Sequence, residues 1–371
     1  MINKIDKNLI SEVVTQSNKN IDCIVSASHF NKAKYELNKL NISYKEYPFT
    51  KSFLIYCSYD KIIQISKLGT VEYLSKPSKV FTLINKAKKF INLEKLTEHK
   101  HYGNNVTIAV IDTGISPHLD FIFPYNRIID FKDLVNNKTL PYDDNGHGTF
   151  VASILAGSGK RQENKYCGIA PRVNIVAIKA LDNKGETNSN KILDAMQYVY
   201  DNAEKFNIKI VCMSFGSDSL GFNDPLQKGA TSLWNKGITV VAAAGNSGPK
   251  DHTIKSPGAS KKIITVGGLS SLDSNPLEVA DFSSRGPVLD RFKPDLVAPS
   301  VDITGCSLDC KNPYTKMSGT SVATPIIAGI CAIMLEKNPT ASPDRLKYLL
   351  VNNCTFIKHE RNSEGFGYIQ F

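Results

Sequence analysis

The segment Ser318-Gly319-Thr320-Ser321-Val322-Ala323-Thr324-Pro325 sets a serine behind a small-residue turn and ahead of the apolar run Ile326 to Leu335. A serine there falls at a helix N-terminus, where the positive end of the peptide dipole favours a developing negative oxygen and glycine lets a second backbone come close. Ser321 is therefore a candidate nucleophile, although serine and threonine are also ordinary helix N-caps and the segment alone does not choose between the two. Val106 to Ile111 is a β-branched apolar run ended by Asp112-Thr113-Gly114, which predicts a buried strand delivering a carboxylate at its C-terminal end. Burying that carboxylate without a partner is costly. Asp144-Asn145-Gly146-His147-Gly148-Thr149 leads into Phe150 to Gly157, whose apolar spacing and closing glycine predict a short buried helix with His147 near its start. A hydroxyl becomes a nucleophile at neutral pH when an imidazole takes its proton and a carboxylate orients that imidazole, and Asp112, His147 and Ser321 could fill those roles. A further apolar strand, Gly237 to Ala244, runs into Gly245-Asn246-Ser247-Gly248. Asn246 could aim its amide at a tetrahedral oxyanion, or the four residues could be a plain turn.

Asp112-Thr113-Gly114, His147-Gly148-Thr149, Ala244-Gly245-Asn246 and Gly319-Thr320-Ser321-Val322-Ala323-Thr324-Pro325, in that order, resemble the active-site signatures of the subtilase family, the subtilisin-like serine peptidases. The order Asp, His, Ser is the known one for subtilisin. The resemblance runs from about residue 85 to the C-terminus. It implies a serine endopeptidase with Asp112, His147 and Ser321 as triad and Asn246 in the oxyanion hole. It also implies that Ser214-Phe215-Gly216 pairs with an extended polypeptide substrate as an added strand, that Ala243, Ala244 and Gly245 wall the S1 pocket, and that Leu181 and Gly185 line the S2 and S4 side. Backbone pairing fixes such a substrate while pockets grade its side chains, so broad specificity with an apolar P1 residue is expected.

Phe150 stands where many relatives carry a second histidine and Val322 where many carry methionine; neither position transfers protons. Relatives often hold calcium in a loop after the histidine helix, whereas Gly157 to Lys165 is basic here and offers few oxygen ligands. Asp120 is similar to a family calcium ligand without its loop partners. No obligatory metal or other cofactor is expected.

Strand-like runs at 106–111, 173–178, 208–213, 238–244 and 263–267 alternate with helical stretches at 148–156, 190–204, 225–236 and 321–336. That alternation predicts a three-layer α/β unit on a parallel sheet over residues 84–371, with Asp112, Ser214 and Asn246 beyond strand carboxyl ends, where such folds bind ligands. Residues 1–83 differ. Strands at 22–26, 43–47, 52–57 and 70–74 with helices at 31–40 and 59–67 give the order βαββαβ, a small α+β ferredoxin-like unit, with residues 1–20 as an extra arm. Ahead of a subtilase domain this resembles the family's propeptide, an intramolecular inhibitor removed by self-cleavage, here expected within residues 80–86. An unrelated accessory domain would have the same pattern.

Most of the net charge of +10 lies in the first hundred residues, with Lys76, Lys79, Lys86, Lys88 and Lys89 clustered. No basic-aromatic module accompanies them, so nucleic-acid and membrane partners are not expected. No apolar core of signal-peptide length follows Met1 to Asn8, and no run looks long enough to span a membrane. Eight scattered cysteines fit free thiols acting as small apolar groups. Cys306 and Cys310 could bridge or bind metal, but no CxxC partner or sequence-near histidine points to zinc. A cytoplasmic monomer is expected. Two other readings stay open: a pseudoprotease used as a binding module, for which a lost triad residue would be the mark, and a narrow-specificity maturation protease, for which the roughly fifty residues after Ser321 leave little room for a recognition domain.

Overall fold

Where the chain alternates apolar and polar residues it builds an antiparallel sheet with one covered face; where it runs apolar without a break it builds a parallel sheet covered on both. The computed structural model describes residues 4, 5, 9, 20–75, 83–97, 100–219, 221, 224–358 and 360–371. Contacts divide the chain into residues 1–80 and 81–371.

In the first unit the elements are β1 (Ile21–Ala27), α1 (Phe30–Lys39), β2 (Tyr44–Tyr47), β3 (Ser52–Cys57), α2 (Tyr59–Ser66) and β4 (Val71–Ser75). All strand pairs are antiparallel, in the order β2-β3-β1-β4. Alternate residues Cys23, Val25 and Ala27 of β1 point inward, meeting Phe53, Ile55, Ala33, Leu37, Ile62 and Ile65 in one core. This is the βαββαβ arrangement expected from the sequence. The arm over residues 1–20 lies almost wholly outside the described residues. So do residues 80–82 of the expected cleavage stretch, whose remainder opens a helix of the second unit.

The second unit has a nine-stranded sheet formed by β5 (Thr107–Asp112), β6 (Ile128–Asp133), β7 (Asn174–Lys179), β8 (Ile208–Met213), β9 (Thr239–Ala243), β10 (Ile264–Leu269), β11 (Leu296–Pro299), β14 (Cys354–Thr355) and β15 (Tyr368–Ile369). Its order is β14-β15-β11-β10-β9-β8-β5-β7-β6, parallel except where β14 meets β15. β12 (Ile303–Cys306) and β13 (Tyr314–Met317) form a separate hairpin. The helices are α3 (Leu83–Phe90), α4 (Leu93–Thr97), α5 (Leu119–Ile122), α6 (His147–Ala156), α7 (Ser189–Asn202), α8 (Pro225–Asn235), α9 (Thr320–Lys337), α10 (Pro343–Asn352) and α11 (Arg361–Glu364). α6 packs on α9, and α7 on α8, giving the three-layer parallel architecture that the sequence predicted.

Every residue of β5, β9 and β10 is buried, as strands covered on both faces must be. The chain leaves β5 toward β7 and β6 on one side and returns to β8 on the other. Asp112, the last residue of β5, therefore stands at the switch point where such sheets open a crevice. α9 qualifies by length and composition to cross a membrane, against the expectation that no run would. It is instead the central core helix, buried along nearly its whole length from Thr320 to Leu335 and packed on β8 to β11. Each fully buried aliphatic side chain there contributes about 1.5–3 kcal/mol.

Candidate active site

Asp112 is 1% exposed, and its Oδ1 accepts from the backbone N–H of Thr113 at 2.8 Å and meets His147 Nδ1 at 2.7 Å. His147 is the first residue of α6, after Gly146 in the left-handed region at φ +101°. Gly148 is what lets that helix start so close to β5: a β-carbon there would stand 2.2 Å from the Gly114 carbonyl oxygen and 3.1 Å from Asp112 Cβ.

Asp143 ties the approach together. One carboxylate oxygen accepts from the N–H groups of Asn145 and Gly146 and the hydroxyl of Thr113; the other accepts from the Thr149 N–H and hydroxyl. Burial would raise the Asp143 pKa, but these donors outweigh it and hold the carboxyl below its usual value. Lys179, opposite Asp112 in the β5–β7 register, is fully buried and donates to the Thr113 and Leu181 carbonyls and to Asp144 at 2.7, 3.0 and 2.7 Å. Burial also pushes the His147 pKa down; the Asp112 charge and hydrogen bond, with Asp143 adding, win and leave it raised.

Ser321 lies in the first turn of α9, and the N-cap is Gly319 rather than any hydroxyl. The capping alternative for Ser321 therefore falls away. Asn246 is held by Thr320, whose N–H and hydroxyl both donate to Asn246 Oδ1 at 2.9 Å, while the same hydroxyl accepts from Gly245 N–H at 3.2 Å. With Oδ1 engaged, Asn246 Nδ2 is left toward Gly319. A β-carbon on Gly319 would stand 3.1 Å from that nitrogen and 3.2 Å from Ser321 Oγ. Glycine thus keeps open a space that faces both groups.

His147, Ser321, Asn246, Leu181, Gly185, Ser214, Phe215, Gly216, Ala243 and Gly245 line one cavity of about 470 Å³. Asp112 stands behind His147 and does not reach it. Ala244 also stands back: its side chain packs with Ile254 and Ala259, and its carbonyl accepts from Lys255 N–H. A neighbouring depression of about 370 Å³ shares Leu181, Gly185, Phe215 and Gly216 and reaches Ile192 and Leu226. The backbone of Phe215 and Gly216 makes no hydrogen bond among the described residues before Ser217 pairs with Ser256, so it can take an added strand.

Four contributors were missed in the sequence. Asp143 accepts from the backbone N–H two residues on, and an aspartate followed by Asn145-Gly146 is an Asx-turn pattern that could have exposed it. Lys179 interrupts the apolar run of β7, and Thr320 is adjacent to the serine. Lys255 lines the cavity, lays its stem where β-carbons on Gly216 and Gly245 would go, at 2.6 and 2.5 Å, and pairs with Asp218 at 2.5 Å; nothing local marks it.

Asp120 does not keep a calcium-type environment. Its Oδ1 accepts from Arg161 N–H, and its Oδ2 from the Tyr314 hydroxyl and the Cys306 thiol. A hard cation needs six to eight oxygen ligands, and sulfur and imidazole neighbours do not supply them.

The model of the subtilase family matches residues 103–368. The serine protease AprX of Bacillus subtilis (strain 168) is 44% identical over 282 residues, 70% of this chain and 63% of that protein. The chain thus spans less than two thirds of that relative's length. Subtilisin DY of Bacillus licheniformis is 32% identical over 71% of this chain and 89% of its own. Among solved structures, sphericase superposes with a TM-score of 0.63 at 29% identity, covering 75% of this chain and 96% of that one. A cold-adapted subtilisin-like serine proteinase gives 0.59 at 30%, covering 73% and 89%.

Proposed function

This chain belongs to the subtilase family, and from that premise we propose that it is a serine endopeptidase acting through Asp112, His147 and Ser321 and made as a self-processing zymogen. One observation carries the reading: the 2.7 Å Asp112–His147 contact, with His147, Ser321 and Asn246 on a single cavity. With Asp112 holding Nδ1–H, the other imidazole nitrogen is the basic one and takes the Ser321 proton as Oγ attacks the scissile carbonyl. The oxyanion forms beside Gly319, where Asn246 Nδ2 and the Ser321 backbone N–H donate to it. Protonated His147 then passes its proton to the leaving amine, and water repeats the sequence to release the acid.

Substrates are extended polypeptides aligned along Phe215 and Gly216. Ala243 and Phe215 favour an apolar stem at P1, and the apolar depression at Ile192 and Leu226 favours an apolar P4. Residues 1–83 serve as the propeptide, a role resting on their βαββαβ order ahead of a subtilase unit.

The test is the intact mass of purified wild-type protein beside Ser321→Ala, each also treated with a fluorophosphonate. Loss of about eighty residues and uptake of the probe by the wild type alone fit the peptidase and zymogen readings. A full-length, unlabelled wild type at neutral pH would return the chain to the binding-module reading.

A further inference from the structure

The geometry points to a binding site for a borderline transition-metal dication of the zinc type, built from His118 Nδ1, an Asp120 carboxylate oxygen and Cys306 Sγ. None of these residues lines the catalytic cavity. Asp120 and Cys306 are fully buried and His118 nearly so, and their three donor atoms lie within 4.8 Å of one another. Cys306 Sγ stands 3.3 Å from His118 Nδ1 and 3.5 Å from Asp120 Oδ2. Zinc–sulfur and zinc–nitrogen bonds of about 2.3 and about 2.0–2.1 Å place tetrahedral ligands about 3.5 Å apart, so the two pairs that involve sulfur already stand at ligand spacing, while His118 Nδ1 and Asp120 Oδ1 lie 3.9 Å apart.

Protonation favours the same reading. His118 Nδ1 accepts from the Asp120 N–H at 3.2 Å, which puts the imidazole proton on Nε2 and leaves Nδ1 the lone-pair nitrogen; an ion there would exchange that hydrogen bond for a metal–nitrogen bond. The Cys306 thiol has one proton and two acceptors facing it, His118 Nδ1 and Asp120 Oδ2. A dication in place of that proton engages all three groups at once: the S–H bond breaks, a sulfur–metal bond forms, and one proton leaves to solvent. Thiolate and carboxylate together balance the double charge, which burial requires. The fourth ligand is a water or the Tyr314 hydroxyl, which already donates to Asp120 Oδ2 at 2.7 Å.

The ion would join the N-cap of α5 to the β12–β13 hairpin, whose Cys306 N–H also donates to Ser153 Oγ of α6 at 2.7 Å. It is a structural staple between the segment after Asp112 and the hairpin that leads into Ser321.

The test uses the full chain carrying Ser321→Ala, to stop self-digestion, stripped with chelator and titrated with Co²⁺. The expected result is one Co²⁺ per chain with thiolate-to-cobalt charge-transfer absorption, displaced by Zn²⁺ and indifferent to Ca²⁺. Cys306→Ser should abolish the absorption and Cys310→Ser preserve it. No such absorption in the parent chain, or absorption that survives Cys306→Ser, overturns the proposal. X-ray absorption of the zinc-loaded parent decides independently of any variant's folding: a shell with a single sulfur and an imidazole supports the site, and any other shell refutes it.

Discussion

Replacing Gly319 by alanine should disable turnover while leaving substrate binding nearly intact. Oxyanion donors work at about 2.7–3.1 Å from the oxygen they stabilise. A β-carbon at position 319 would lie 3.1 Å from Asn246 Nδ2 and 3.2 Å from Ser321 Oγ. It would occupy the place where that oxygen must form, and a carbon and an oxyanion cannot share it. The loss should match that of the amide donor itself, about 10²–10³ in kcat or about 2.7–4 kcal/mol, the magnitude known for the equivalent asparagine of subtilisin. The backbone adds a second cost: Gly319 sits at φ +151° and ψ 162°, a region open essentially to glycine, where strain is about 1–3 kcal/mol. The assay is kcat and KM on an extended chromogenic peptide, with thermal melting to register the strain. KM should hold, because Phe215 and Gly216 are untouched. In the double variant with Asn246→Ala the two losses should not multiply, since both remove stabilisation of one oxygen. A folded Gly319→Ala enzyme with wild-type kcat would refute the reasoning.

The His147 pKa is raised above its usual 6.5, so kcat/KM should rise with pH through a midpoint above that value; a midpoint at or below it would sink the assignment of base and partner. The same shift stabilises the fold fully below the unfolded pKa and is lost as pH rises through the folded one, so melting of Ser321→Ala should weaken, and more so than that of Asp112→Asn, over the range where activity appears. Lys179→Met leaves the buried Thr113 and Leu181 carbonyls without their donor, at about 1–3 kcal/mol each; denaturant unfolding indistinguishable from wild type would contradict this. Lys255→Ala should open the cavity where the lysine stem crosses Gly216 and Gly245, raising the preference for P1 Phe over P1 Ala by roughly tenfold, and an unchanged ratio would remove Lys255 from the pocket floor.

Legibility in the sequence followed burial. β5, β9 and β10, buried at every residue, and β8, buried at all but Lys209, could be located within a residue or two because a strand covered on both faces is close to apolar throughout. The three candidate triad positions stood out because each lies at a strand or helix end within two residues of a glycine. β6, Ile128–Asp133, was missed, since only its first and last residues are buried and its apolar signal is diluted. The hairpin Ile303–Cys306 with Tyr314–Met317 and the two-residue strands β14 and β15 were missed too, because tertiary neighbours rather than local propensity hold such short pieces extended. The Cys306 environment was misread for a related reason. No histidine is near it in sequence, yet His118, 188 positions away, stands 3.3 Å from its sulfur. Asp143 escaped although four of its five donors lie within six residues of it; only the Thr113 hydroxyl comes from the end of β5.

The burial of α9 also sets an order of events. The Asp112–His147 contact spans 35 positions, a short loop to close, whereas Ser321 joins them only when the helix that packs across β8, β9, β10 and β11 docks on the face of the sheet. Contacts of such long sequence separation form late and slowly. On the serine-peptidase reading proposed above, cutting ability is thereby conditional on complete folding: a nascent or half-collapsed chain, with its own loops exposed and peptide-like, would have no nucleophile in place with which to attack them.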